Sequence, residues 1–170
     1  MVAAESPPIV VCDAGPLIHL DELGCLDLLV SFREILVCQA VWSEVARHRP
    51  SALRRHRVRL QVTTATAEAN AQLVELTQAF SLAAGEFESL RLMADLPQAI
   101  LLTDDAAARF VAEKLGYEVH GTIGVVVRSL RLGLKTKRQV LNLLGSIPRR
   151  STLHIAETLL TAVIEEVSAS

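Results

Sequence analysis

The sequence predicts a three-layer α/β protein, a central parallel β-sheet flanked by helices, in a single domain. Short apolar runs rich in β-branched residues alternate with segments of helical periodicity along the chain. The strongest of those runs are apolar at nearly every position, as strands buried on both faces must be. The 170 residues are 51% apolar and 21% charged, enough to build one core and too apolar for disorder.

The first run, Ile9-Val10-Val11-Cys12, ends on Asp13. Gly15-Pro16 is then expected to turn the chain and start a helix, with Pro16 at its first position. Asp13 is thus expected at the carboxyl end of a central strand, where open α/β sheets bind ligands. The same placement suits a helix N-cap. Leu17, Ile18 and Leu20 predict a short helix ending at Gly24, and Leu26 to Phe32 continue as helix. Residues 34–38 read as strand two. The helix after it carries Val41, Trp42, Glu44 and Val45 and is closed by Pro50.

Arg47 to Arg59 holds six arginines, two histidines and no acid. Residues 59–63 read as strand three, with Thr64 or Thr66 capping a helix on which Leu73, Leu76 and Phe80 share a face. Gly85 opens a further helix beginning at Glu86. Residues 99–103 are the most strand-like segment of the second half and end in Asp104-Asp105. The next helix carries Ala107, Phe110, Val111 and Leu115 on one face and stops at Gly116. Residues 117–120 form the last strand, and Gly121-Thr122 starts a helix reaching about Gly133. Thr136 caps another that stops at Gly145. Residues 152–167 carry a C-terminal apolar stripe. The organisation is therefore a lead-in at 1–8, a domain at 9–145 and a docking or partner-binding helix at 146–170.

Bulk properties exclude several classes. With 17 Lys+Arg against 19 Asp+Glu, the net charge of −2 does not advertise nucleic-acid binding. Cys12, Cys25 and Cys38 each lie in apolar runs and lack metal-ligand spacing, which predicts buried free thiols in a reducing compartment. The five histidines show no paired Zn²⁺ spacing and are expected in packing or on the surface. The N-terminus has no basic region followed by a long apolar stretch. No apolar run approaches the roughly 18 residues of a membrane span. A soluble cytoplasmic protein is the expectation.

Asp13 and Asp104-Asp105 follow strands directly, Glu44 lies one or two helical turns after strand two, and Glu86 opens a helix. Gathered at one sheet edge, these carboxylates would repel one another unless a cation neutralised them. Mg²⁺ or Mn²⁺ suits such an all-oxygen set and activates bound water toward a phosphodiester. Each acid also has a simpler role: Glu44 on a solvated helix face, Glu86 at a positive helix end, and one of the aspartate pair as an N-cap.

Five pieces together resemble the PIN-domain family, in the branch of uncharacterised PIN-like proteins related to VapC toxins of VapBC toxin–antitoxin systems. They are Val11-Cys12-Asp13-Ala14-Gly15-Pro16-Leu17-Ile18, Val41-Trp42-Ser43-Glu44-Val45, Gly85-Glu86, Leu101-Leu102-Thr103-Asp104-Asp105 with Arg109, and Gly121-Thr122-Ile123-Gly124-Val125-Val126. The resemblance implies a PIN-like fold and metal-dependent cleavage of single-stranded RNA, with a small antitoxin and a homodimer among the partners. It implies direct metal contact by Asp13 and Asp104, with Asp105 replacing Asp104 if the turn is set one residue later. Glu86 would contact a metal or its water, Glu44 would serve a second metal or act as base, and Thr103 would support the ligands from behind.

Two positions depart from the family pattern. Ala14 and Gly15 stand where a Ser, Thr or Asn is common, and Glu88 stands where a small apolar residue is usual. Glu88 points to solvent or, with the helix rotated, replaces Glu86. The missing hydroxyl supports the rival reading of a catalytically weak or inactive RNA- or protein-binding module. For RNA, the basic stretch offers Arg47, Arg49, Arg54, Arg55 and Arg57 as phosphate contacts, or else is a solvated surface. Arg128, Arg131, Lys135, Lys137 and Arg138 form a second basic region with the same two readings.

Overall fold

The computed structural model describes residues 6–54 and 57–170. Five short strands form one parallel sheet in the order β3-β2-β1-β4-β5: β1 (Ile9–Cys12), β2 (Glu34–Val37), β3 (Leu60–Val62), β4 (Ile100–Leu102) and β5 (Glu118–His120). The first three strands step outward to one side of β1, and the last two step outward to the other. The strand order reverses between β1 and β4, where Val11 pairs with Leu101 and Cys12 with Leu102. A crevice opens at such a reversal, beyond the carboxyl ends of the two strands.

Alternation along each strand divides the core into two layers. On one face Val10, Cys12, Val37 and Leu102 pack with Leu17 and Leu20 of α1 (Ala14–Glu22) and with Val41 and Val45 of α2 (Gln39–His48). Val125 and Val126 of α6 (Thr122–Arg131) and Leu144 and Ile147 of α7 (Lys137–Arg150) complete that layer. On the other face Val11, Leu36 and Leu101 meet Leu73 of α3 (Ala71–Phe80), Leu90 and Met93 of α4 (Ala84–Asp95) and Val111 of α5 (Ala106–Lys114). Full burial of each such side chain is worth about 1.5–3 kcal/mol before entropy is counted. The predicted three-layer α/β architecture is the one observed. Cys12, Cys25 and Cys38 are buried and free. No helix among the described residues is long and apolar enough to cross a membrane.

Several boundaries differ from the sequence reading. Helix α1 starts at Ala14 rather than at Pro16, with Asp13 as its cap. Leu26–Ser31 is a 3-10 helix, tight enough to bury Leu26, Leu28 and Leu29 in quick succession. Neither Thr64 nor Thr66 caps α3. The Asp95 carboxylate accepts the Thr66 and Ala67 N–H groups, and Asn70 caps the helix by accepting from the Leu73 N–H at 2.7 Å. Phe80 and Phe110 are about 40% exposed and stack on each other at 4.9 Å, because their helices meet along an outer edge of the layer. Gly145 does not end α7, since Leu144 and Ile147 on either side of it are fully buried and hold the helix through to Arg150. The boundary drawn between 145 and 146 therefore falls inside α7.

The last helix, α8, starts only at Glu157 and runs to Ala169. The preceding residues are drawn out as a strap. The Glu22 carboxylate accepts from Ser151 Oγ at 2.9 Å, from Thr152 N at 2.7 Å and from Thr152 Oγ1 at 3.0 Å. Those bonds compete with a helical start at Thr152. They also lead residues 152–154 across the carboxyl edge of the sheet.

Candidate functional site

The crevice beyond β1 and β4 is a cavity of about 290 Å³ lined by Asp13, Glu44, Glu86, Asp104 and Asp105, so all five predicted acids border one space. Asp13 leaves β1 and caps α1, with Oδ1 accepting from the Ala14 N–H at 2.9 Å. Its Oδ2 accepts from Thr103 Oγ1 at 2.9 Å. Capping and site membership are thus held by one carboxylate, one oxygen for each.

Glu44 reaches the cavity from α2. Glu86 comes from the first turn of α4, its Oε2 accepting from the Ala83 N–H at 2.6 Å. Gly85 permits this approach. A Cβ there would lie 3.3 Å from Val41 Cγ2, 3.6 Å from Glu44 Oε2 and 3.9 Å from Asp13 Oδ1, so a larger residue would press α4 away from α2. Glu88 neither joins the cavity nor points freely to solvent. It lies 3.4 Å from the Ala40 N–H at the start of α2 and lines a different cavity with Cys38 and Arg91.

The two aspartates after β4 do different things. Asp104 is nearly enclosed, and both of its oxygens are taken: Oδ1 accepts from the Thr122 N–H at 2.7 Å, and Oδ2 from Thr122 Oγ1 at 2.5 Å and His19 Nδ1 at 2.8 Å. The carboxylate can only accept, so the His19 proton sits on Nδ1. Gly121 makes room for this arrangement, since a Cβ there would fall 2.6 Å from Asp104 Oδ1. Asp105 is exposed and caps α5, Oδ1 accepting from the Ala108 N–H at 2.8 Å. Among the described residues its Oδ2 accepts no hydrogen bond.

Electrostatics bind the group together. Burial lifts the Asp13 carboxyl from 3.8 to about 6, with the Glu86 and Glu44 charges adding to the rise against the Ala14 and Thr103 hydrogen bonds. Burial likewise raises Glu86, helped by Asp105 and Glu44. Among the described residues no Lys or Arg forms an ion pair with Asp13, Glu44, Glu86 or Asp105. An uncompensated, all-oxygen set of this kind fits a hard divalent cation, which would remove the repulsion that raises the two carboxyls. The carboxylates border the space without closing on it: among the described residues no three His, Cys, Asp or Glu side chains form a ready-made ligand cluster.

His19, Thr152, Leu153 and His154 also line the cavity and were not singled out from the sequence. The expectation that the histidines serve only packing or surface fails at His19, because α1 turns it back beneath Asp13 toward Asp104. The only sequence signal was its position within the first two turns after Asp13. The strap residues carried no signal, being separated from Glu22 by about 130 positions.

The basic residues lie elsewhere. Arg49 is committed to the buried Asp21 carboxylate at 2.7 Å. Arg54 and Arg57 line a separate cavity with Lys135 and Asp27. Arg47 is exposed on α2, and Arg55 lies outside the described residues. In the second basic region, Arg128 donates to Ser31 Oγ and stacks over Phe32, and Lys137 donates to the Ser168 carbonyl.

A family model described as a PIN domain matches residues 9–169. No curated protein matches the chain.

Proposed function

The chain belongs to the PIN-domain family, a nuclease-type fold, and from that premise we propose that it is a Mg²⁺- or Mn²⁺-dependent ribonuclease cleaving single-stranded RNA phosphodiesters. The observation that carries this reading is the buried Asp13 carboxylate sharing one cavity with Glu44, Glu86 and Asp105, none of which pairs with a Lys or Arg among the described residues. Asp13, Glu86 and Asp105 are the residues that would hold the cation. Asp104, named with Asp105 for that role by the sequence, accepts three hydrogen bonds, from the Thr122 N–H, Thr122 Oγ1 and His19 Nδ1, against two at Asp13, and is the most committed acid of the set.

A divalent cation held there supplies charge for the phosphate oxygens and lowers the pKa of a bound water. The chain's own groups do the rest. Thr103 fixes the Asp13 carboxylate through Oδ2, and the Ala14 N–H fixes it through Oδ1. Glu86 is tied to the Ala83 N–H by one oxygen and presents the other. Glu44, which makes no hydrogen bond to protein among the described residues, is placed to serve a second cation or accept the water's proton. In the VapC-like role, the protein is a cytoplasmic toxin restrained by a small antitoxin and paired as a homodimer.

Ala14 and Gly15 favour the second reading, a catalytically weak RNA- or protein-binding module, because they line the cleft without a hydroxyl to orient water or phosphate. The test is cleavage of a mixed single-stranded RNA pool with Mn²⁺ or Mg²⁺ by the wild type and Asp13→Asn, with folding checked by circular dichroism. Metal-dependent cleavage that vanishes in the variant supports the nuclease. Absence of cleavage, with no metal-induced rise in Tm, leaves the binding module.

A further inference from the structure

Next to the acid cleft lies a second cavity of about 450 Å³, between the start of α6 and the strap with α8. Asp104, Leu153 and His154 line both, so the two spaces adjoin at those residues. The walls of the second are mainly apolar: Ile123 on one side, and Leu153, Ile155, Leu159 and Val163 on the other. Leu159 is 57% exposed there, with its side chain offered to the groove rather than to the core. A few polar groups, Arg109 and His120 foremost, stand at the β5 end. An apolar trough of this size with a small number of polar groups has the general form of a site for a small organic moiety.

We infer that this groove seats one nucleoside of the RNA strand, adjacent to the phosphate in the acid cleft; the inference rests on the proposed nuclease reading. A strand leaving the cleft needs a cation for its next phosphate, since the cleft itself is lined by acids. Arg109 is the arginine that lines the second cavity, next to Asp104. Its Nη2 donates to the Thr103 carbonyl at 3.3 Å, which fixes the guanidinium beside Asp104; Nη1 makes only a long, exposed contact with Glu113 Oε1 at 4.0 Å, and the side chain remains 38% exposed. The base then lies between Ile123 and Leu159, on walls that contact its faces without reading its edges. The groove therefore supplies affinity and register, and the order of its walls places a nucleoside on one defined side of the scissile bond.

The test is fluorescence anisotropy of a fluorescein-labelled RNA hexamer in Ca²⁺, with wild type, Leu159→Glu and Leu134→Glu. Leu134 is similarly exposed, at 46%, and lies outside the groove, so it carries the same charge change as a control. The expected result is a Kd about tenfold weaker for Leu159→Glu and unchanged for Leu134→Glu. Equal Kd values for all three proteins overturn the groove assignment. So does a change from dimer to monomer in sedimentation with Leu159→Glu alone, which assigns the groove to a second copy of the chain. Hydrolysis of bis(p-nitrophenyl) phosphate with Mn²⁺, a substrate too small to span both spaces, reports on the cleft separately. Wild-type hydrolysis without hexamer binding overturns the nucleoside groove and leaves the phosphodiesterase reading standing.

Discussion

Thr103 Oγ1 donates to Asp13 Oδ2 at 2.9 Å, joining the carboxyl ends of the two parallel strands between which the strand order reverses. The bond fixes a carboxylate that is 7% exposed and has no ion-pair partner among the described residues. It also ties the two halves of the candidate site into one rigid edge. Stability, metal binding and packing at this edge each have a measurable signature.

Asp13 makes the metal-free protein pH-sensitive in a definite sense. Its carboxyl ionises at about 6 in the folded chain and at 3.8 as a free group. The folded state therefore holds the proton more tightly. The contribution is fully present below about pH 4 and is lost as pH rises through about 6, a difference of roughly 3 kcal/mol. In EDTA, Asp13→Asn should melt near the wild type at pH 4 and about 6–12 °C above it at pH 7.5. Melting curves that track each other across that range would contradict the burial argument.

A hard cation should act on the same charge. Millimolar Mn²⁺ or Mg²⁺ should raise the wild-type Tm at pH 7.5, and the rise should shrink in both Asp13→Asn and Asp105→Asn. Asn is as good an N-cap as Asp, so Asp105→Asn retains the start of α5 and isolates the metal effect. Differential scanning fluorimetry with and without metal decides this. A full metal response in both variants would remove them from the ligand set.

Asp104 is expected to behave differently from its neighbour. Asp104→Asn must turn an NH₂ group toward the Thr122 N–H, the Thr122 hydroxyl or His19 Nδ1, all of which donate to the carboxylate. The loss should be about 1–3 kcal/mol at neutral pH, read from urea unfolding. Asp105→Asn should lose less than about 0.5 kcal/mol in the same experiment. Equal losses would mean that the pair is interchangeable.

Two glycine substitutions have opposite expected signs. Gly121→Ala sets a Cβ 2.6 Å from Asp104 Oδ1 and 3.3 Å from the Thr103 carbonyl, so the site must open, at about 1–3 kcal/mol. Gly145→Ala meets nothing within 4 Å in the middle of α7 and should stabilise by about 0.5–1 kcal/mol. Urea midpoints of the two variants, moving in opposite directions from the wild type, are the check.

Glu22 is the fastening of the strap. Glu22→Ala removes the acceptor for Ser151 and Thr152, and hydrogen exchange should accelerate at residues 151–155 while β1 and β4 keep their protection. Uniform acceleration across the sheet would show that the bond supports the whole fold instead.

Much of this architecture was legible in the sequence because its signals are local. Ile9-Val10-Val11-Cys12 and Ile100-Leu101-Leu102 are apolar at every position, which only strands covered on both faces require, and Asp13 and Asp105 follow them as caps. The spacing of the acids alone left their convergence open; the resemblance of the surrounding motifs implied it, and the structure places all five on one cavity. Boundaries failed where a distant group took over the backbone. Asp95 claims the Thr66 N–H, Glu22 draws residues 151 and 152 out of the last helix, and burial of Leu144 and Ile147 carries α7 past Gly145.

The sequence by itself determined the layers, the strand-end acids and their number, since periodicity and capping act within a few residues. Only the tertiary structure decided how Asp104 and Asp105 divide their roles. Adjacent positions at a strand end do different things, one accepting from Thr122 and His19 and the other capping α5 through the Ala108 N–H. Which way each turns depends on Gly121 having no Cβ and on α1 carrying His19 back over the sheet. Those are long-range packing facts, and no local pattern encodes them.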